Sequence, residues 1–174
     1  MTRILLVACG KEKMPPGRAW PARDLYIGSG YTDASRYALR ELAEERADHW
    51  MILSGLHGLI SPDQEIERYE RYLPGLPVGE RRSWRALVLR QLHGWLPEVG
   101  LGARLVDGVR TYPPIALEYH AASAYVVRGG PPSWTVVEPL AGLQQGQRRA
   151  WYKRERERLR DTEAVQLGLG LGAA

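Results

Sequence analysis

The 174-residue sequence has a single cysteine, Cys9, and no phenylalanine. One cysteine excludes an internal disulfide and any zinc site built from several thiolates. Without phenylalanine, aromatic packing falls to 6 tryptophans and 9 tyrosines, rings whose polar atom needs a partner when buried. No apolar run approaches the ~20 residues of a membrane span, and residues 4–8 are too few for the apolar core of a signal peptide. A cytoplasmic protein that does not engage membranes is therefore expected. No spacing of histidines and carboxylates suggests a metal site, and neither a metal nor another cofactor is expected. Walker and dinucleotide-binding loops are excluded, because the glycines they need are missing.

What remains is average for a globular chain, 44% hydrophobic and 25% charged, and long enough to bury a core in one domain. The net charge of +4 is unevenly placed. Arg148, Arg149, Lys153, Arg154, Arg156, Arg158 and Arg160 crowd one helical stretch against only Glu155 and Glu157. That stretch is either a footprint for a polyanion such as nucleic acid or a solvated helix of mixed charge. The chain accordingly divides into an α/β domain over residues 1–152 and a basic helix with a frayed tail over residues 153–174.

The body is organised around residues 4–8, Ile-Leu-Leu-Val-Ala, an apolar run ended by Cys9-Gly10, which is the pattern of a strand buried on both faces. Residues 50–54 repeat it, and residues 103–108, 124–127 and 134–137 are further candidate strands. Helices are expected over residues 34–47, capped by Asp33, and over residues 80–96, with a stripe of Trp84, Leu87, Val88, Leu92 and Trp95. A third is expected over residues 112–120, with Pro113 and Pro114 in its first turn. This order predicts an α/β fold, a single three-layer domain with a mainly parallel sheet.

In such sheets ligands bind beyond the carboxyl ends of the strands. The turn Cys9-Gly10-Lys11-Glu12-Lys13 puts a glycine and two ammonium groups where backbone N–H groups can cradle an anion. Cys9 reads as a small residue bordering the site rather than a nucleophile, since no histidine and carboxylate accompany it in a recognisable order. The second strand end, Ser54-Gly55-Leu56-His57-Gly58, holds a histidine between glycines, where a neutral imidazole can donate a hydrogen bond or act as acid or base. Asp24-Leu25-Tyr26 offers a carboxylate that either positions water or caps a helix, and a ring that can stack on a base. Tyr69 and Tyr112 are further stacking candidates.

These residues carry a resemblance. Cys9-Gly10-x-x-Lys13, Asp24-Leu25-Tyr26 and Trp50-x-Ile52-Leu53-Ser54-x-x-His57-Gly58-Leu59-x-x-Pro62 are followed by Tyr69, Gly108 with Tyr112, Pro139-Leu140-x-Gly142-Leu143, Gly146-Gln147 and Trp151. In that order they resemble an uncharacterised family of bacterial and phage domains of unknown function. The match runs from Ile4 to about Tyr152, with Gly55 where that family usually has alanine and one extra residue between Gly108 and Tyr112. At longer range the strand-end motifs are similar to those of YaaA proteins, uracil-DNA glycosylases and archaeosine-synthesis enzymes. That similarity implies a fold of the uracil-DNA-glycosylase type and a nucleobase or nucleic-acid ligand. The expected function is an enzyme acting on a nucleotide or nucleic acid at the glycosidic bond of a base. In it Asp24 and His57 are catalytic, while Cys9, Gly10, Lys11, Lys13, Tyr26, Ser54, Gly58, Tyr69 and Tyr112 line the ligand. Two alternatives stand beside it: nucleic-acid binding without catalysis through the basic helix, and a nucleotide or anion sensor using the Cys9 to Lys13 turn.

Overall fold

Four consecutive side chains without solvent exposure, Ile4, Leu5, Leu6 and Val7, make β1 (Thr2–Ala8) a strand with no wet face. The computed structural model describes residues 1–166, with side chains as far as residue 158. The expected frayed tail beyond Gln166 and the side chain of Arg160 lie outside the described residues. Contacts divide the chain into two compact units, one of residues 1–141 and one beginning at Gly142.

In the first unit β1 is followed by β2 (Ala19–Pro21), α1 (Ala22–Leu25), α2 (Ser29–Ala43), β3 (His49–Ser54), β4 (Gly58–Ile60) and β5 (Glu65–Glu67). A 3-10 turn at Leu73–Gly75 leads into α3 (Val78–Trp95). The hairpin of β6 (Arg104–Val106) and β7 (Val109–Thr111) precedes β8 (Ile115–His120), a 3-10 turn at Ser123–Tyr125 and β9 (Trp134–Val137). The second unit contains α4 (Gln145–Gln166). The main sheet has the order β4-β3-β1-β8-β9, parallel throughout except for β4, which pairs antiparallel with β3 at one edge.

Alternate residues of each strand face opposite sides. Ile4, Leu6, Met51, Leu53, Leu117 and Tyr119 share one core with Trp84, Val88 and Leu92 of α3. On the other face Arg3 of β1 reaches Tyr37 and Glu41 of α2. Helices therefore cover both faces, the condition under which a parallel sheet is stable. No helix among the described residues is long and apolar enough to cross a membrane.

Four elements differ from expectation. The helix expected over residues 34–47 with Asp33 as its cap is α2, which starts at Ser29 behind Gly28, contains Asp33 and ends at Ala43. Residues 115–120, expected as a helix, are β8, the strand next to β1. Ala116, Leu117 and Glu118 favour helix locally, but all six residues are buried, and the ladder with β1 outweighs propensity. Pro113 and Pro114 precede a strand because their fixed φ and missing N–H suit an extended approach as well as a helical first turn. Residues 103–108, expected as a sheet strand, form half of an outlying hairpin closed by Asp107 and Gly108, both with positive φ. Residues 124–127 contain the end of a 3-10 turn rather than a strand.

β8 carries two buried polar residues, Glu118 and His120, and both are paired. His120 Nε2 lies 2.8 Å from Glu118 Oε1. Arg3 donates from Nε to Glu118 Oε2 at 2.9 Å and from Nη2 to Glu118 Oε1 at 3.0 Å. The same guanidinium donates to Glu41, to Tyr37 Oη at 3.0 Å and to the Arg46 carbonyl at 3.1 Å. Burial alone would raise the Glu118 carboxyl pKa, but the His120 hydrogen bond and the Arg3 charge outweigh it and hold it below 4.5.

Arg3→Met removes the cation shared by Glu41 and Glu118, leaving Glu41 with Arg46 and Glu118 with the His120 imidazole. It should destabilise the protein by about 3 kcal/mol, read as a lowered urea midpoint at unchanged slope. Because the folded pKa of Glu118 is depressed, its stabilisation is fully present above 4.5 and is lost as pH falls through the folded value. Glu118→Gln should therefore flatten the acid limb of the stability curve. An unchanged midpoint in Arg3→Met would remove this network from the stability of the fold.

Candidate functional site

β1 and β3 run parallel, so their carboxyl ends lie side by side, and the Cys9 amide donates to the Leu53 carbonyl at 2.9 Å. Cys9 and Ser54 are thus neighbours at one edge of the sheet. The Ser54 hydroxyl accepts from the backbone amides of Leu56 at 3.3 Å and His57 at 3.0 Å, which folds the β3–β4 turn back on itself. Gly58 closes that turn with φ +77°, a conformation that strains other residues, and a Cβ there would collide with Gln91 Oε1. Gln91 of α3 secures the turn by accepting from the Leu59 amide at 2.8 Å and donating to the His57 carbonyl at 2.9 Å. The Trp84 indole N–H donates to the Ser54 carbonyl at 2.8 Å.

A chain of hydroxyls crosses this edge. Tyr69 Oη lies 2.7 Å from Ser54 Oγ and 2.9 Å from Tyr26 Oη. Both lone pairs of Ser54 Oγ accept backbone amides, so its proton goes to Tyr69, and Tyr69 donates in turn to Tyr26. The Tyr26 proton is then the one donor that this chain does not use. Burial pushes the Tyr26 phenol up to about 12 and raises those of Tyr69 and Tyr125 as well, so all three are neutral donors at physiological pH. Tyr125 Oη contacts Cys9 Sγ at 3.5 Å. The His57 ring meets Tyr69 edge to face at 5.3 Å, and its partial burial lowers its pKa below 6.5.

Lys13 is 7% exposed. Its ammonium donates to the Lys11 carbonyl at 3.3 Å and lies 4.9 Å from the Tyr69 ring centroid and 6.0 Å from that of Tyr26. Among the described residues no carboxylate comes within ion-pair distance of it. A cation–π contact supplies about 0.5–2 kcal/mol, less than the desolvation of an ammonium group usually takes away. Cys9, His57 and Tyr69 are half-buried, so solvent reaches the cluster on their side.

Cys9, Gly10, Lys13, Tyr26, Ser54, His57, Gly58 and Tyr69 are thus brought to one place. Lys11 lies on the same turn with its side chain in solvent. Asp24 sits on α1, exposed and 3.9 Å from Arg23 Nε, and makes no contact with the hydroxyl chain. Tyr112 precedes β8 and therefore lies at the opposite, amino edge of the sheet, where it packs on His93 and Trp134. There it lines a cavity of about 690 Å³ with Arg104 and Arg110; a second, of about 400 Å³, is lined by Leu117, Trp134 and Val136. Neither cavity holds Lys13 or His57. Concavity and chemistry diverge here, and the unpaired cation and unused donor are the stronger sign of a ligand. No group of three metal-ligating side chains occurs among the described residues.

Gln91, Trp84 and Tyr125 are parts of the site that sequence reasoning passes over. Gln91 had a signal, a polar side chain between Val88 and Leu92 in the apolar stripe of α3. Tyr125 follows the strand read as a helix, so its position was out of reach. In the second unit, Arg148 Nε donates to the Leu143 carbonyl at 2.8 Å, Lys153 lies 3.9 Å from Glu157, and Arg158 pairs with Glu155 at 2.9 Å. Arg149, Arg154 and Arg156 are exposed.

Fold and site together define an α/β protein with a mainly parallel sheet and a cationic, tyrosine-lined cluster at its carboxyl edge. The chain belongs to a family of unknown function, DUF6884, whose model matches residues 4–154. That accords with the resemblance to an uncharacterised family over nearly the same span. No curated protein and no solved structure matches the chain.

Because burial disfavours the imidazolium, the His57 ring should titrate below 6.5 in a nitrogen-15 NMR experiment and be neutral at pH 7. A midpoint above 6.5 would place an unseen anion beside it.

Proposed function

We propose that this chain is an enzyme acting on a nucleotide at its glycosidic bond, with the substrate phosphate held by Lys13. The observation that carries the reading is the buried Lys13 ammonium without a carboxylate. A buried cation with no anion of its own is the binding half of an ion pair whose other half arrives with the ligand. The carboxyl edge of a parallel sheet is where such ligands sit. The similarity of the strand-end motifs to uracil-DNA glycosylases supports the base-directed chemistry and the finer fold assignment.

In this reading the bond between the sugar C1′ and the base nitrogen breaks with its electron pair leaving on the base. Neutral His57 donates a hydrogen bond to the departing base, and water supplies the oxygen that bonds C1′, its proton passing to solvent. Asp24, exposed on α1 and outside the cluster, has no part in it. Mononucleotides should raise the melting temperature of the protein, and Lys13→Met should abolish the rise. His57→Ala should lower turnover about a hundredfold or more while leaving the ligand-induced shift in place. A full thermal shift in Lys13→Met would sink the assignment.

The exposed Arg149, Arg154 and Arg156 of α4 favour a second reading, nucleic-acid binding through that helix. Each phosphate neutralised releases counterions, so affinity should fall steeply with salt, and replacing Arg149, Arg154 and Arg156 by glutamine should flatten that dependence. Equal salt slopes in variant and parent would exclude α4 as the contact surface.

A further inference from the structure

The segment from Tyr69 to Gly75 crosses the carboxyl edge of the sheet. At its start Tyr69 is bonded to Ser54 and Tyr26. Two residues on, the Arg71 carbonyl passes so close to Gly55 that a Cβ there would lie 2.9 Å from it. Glycine at position 55 is what lets that carbonyl pass so close. At its end the 3-10 turn Leu73–Gly75 packs against the turn Ser123–Tyr125, which brings Tyr125 to Cys9.

Tyr72 lies on this crossing segment and is 67% exposed, in contrast to buried Tyr26 and Tyr125. Its ring is seated on Gly75, where a Cβ would come within 3.2 Å of Tyr72 Cδ1, and the Gly75 amide donates to the Tyr72 carbonyl at 3.1 Å. It stands between Arg71, whose carbonyl lies against Gly55, and the Leu73–Gly75 turn that packs on Ser123–Tyr125. Leu56, 41% exposed, stands beside His57 on the neighbouring turn. An exposed aromatic ring held in place on the segment that crosses the site is a stacking surface.

The site is therefore ordered by depth: a charged amine and phenol donors inside, an aromatic platform outside. We propose that the ligand inserts phosphate first, its terminal phosphate on Lys13 and its base against Tyr72, so that the substrate class is a mononucleotide or a strand end bearing a terminal phosphate. An internal nucleotide does not fit this order, because its phosphodiester carries a nucleoside on both sides and reaches buried Lys13 only by burying both. The inference rests on the nucleotide reading above and adds to it which end of the nucleotide goes in.

Calorimetric titration of the full chain tests it, with the 5′-mononucleotides, the matching nucleosides, inorganic phosphate and an end-blocked single-stranded oligonucleotide as probes. Mononucleotides should bind at least tenfold more tightly than nucleosides or the blocked oligonucleotide. Tyr72→Ala should weaken mononucleotides roughly tenfold and leave inorganic phosphate unchanged, while Tyr72→Trp restores the affinity. Lys13→Met should abolish both. Nucleosides or the blocked oligonucleotide binding as tightly as mononucleotides would overturn the phosphate-first order and leave the nucleotide reading standing. Unchanged mononucleotide affinity in Tyr72→Ala would overturn the role of Tyr72. Binding of none of the probes would overturn both readings together.

Discussion

The guanidinium of Arg3 decides which strand lies beside the centre of the sheet. It joins β1, where it originates, to Glu41 on α2 and Glu118 on β8, and it satisfies two buried carboxylates at once. Without it β8 would bring Glu118 into the face covered by α2 with the His120 imidazole as its remaining partner. With it, β8 runs in register with β1, Val7 opposite His120, and the chain emerges at the same edge as Cys9. Tyr125 reaches Cys9 because β8 is where it is. The site is thus downstream of an ion-pair network on the other face of the sheet from α3.

Two cations in one unit, half-buried Arg3 and buried Lys13, are treated in opposite ways. Arg3 has both of its carboxylate partners supplied by the fold, along with a phenol and a carbonyl. Lys13 has one carbonyl and the faces of two tyrosines. Desolvation acts against both, and a guanidinium is the more weakly hydrated of the two ions. A fold selected for stability alone would pair the lysine or replace it. Its persistence unpaired, next to a hydroxyl chain with one donor left over, is the kind of local inconsistency that marks a functional position.

What could be read from the sequence follows from burial. β1 and β3 announce themselves because unbroken apolar runs have few other uses, and α3 because its stripe has a helical period. The turns after those two strands were legible for the same reason, since a glycine-rich break after a buried strand marks the carboxyl edge. β8 was not legible: Glu118 and His120 interrupt its apolar character, and what makes them tolerable in a core is their mutual hydrogen bond, the distant Arg3 on Glu118 and the Tyr37 ring on His120. Tyr112 illustrates a different limit. Its ring chemistry is the same as that of Tyr69 or Tyr72, but strand direction, which follows from the β8 pairing, puts it at the opposite edge.

That opposition separates the two ends of the sheet by chemistry as well as position. At the amino edge His93, Tyr112 and Trp134 pack on one another, with the His93 and Trp134 rings stacked at 5.1 Å. Their contacts are made within the protein and are of the kind that stabilises a corner of the core. At the carboxyl edge the aromatic residues are arranged by their hydroxyls, with Ser54, Tyr69 and Tyr26 in line and a cation beside them. Packing accounts for the rings of the first group, with the buried Trp134 indole N–H left without a hydrogen-bond partner among the described residues. It does not explain the second, because a Phe at each tyrosine position and a Met at Lys13 would fill the same space without burying a charge. The polar atoms at that edge are retained at a cost to stability, and a ligand that uses them is the simplest offset.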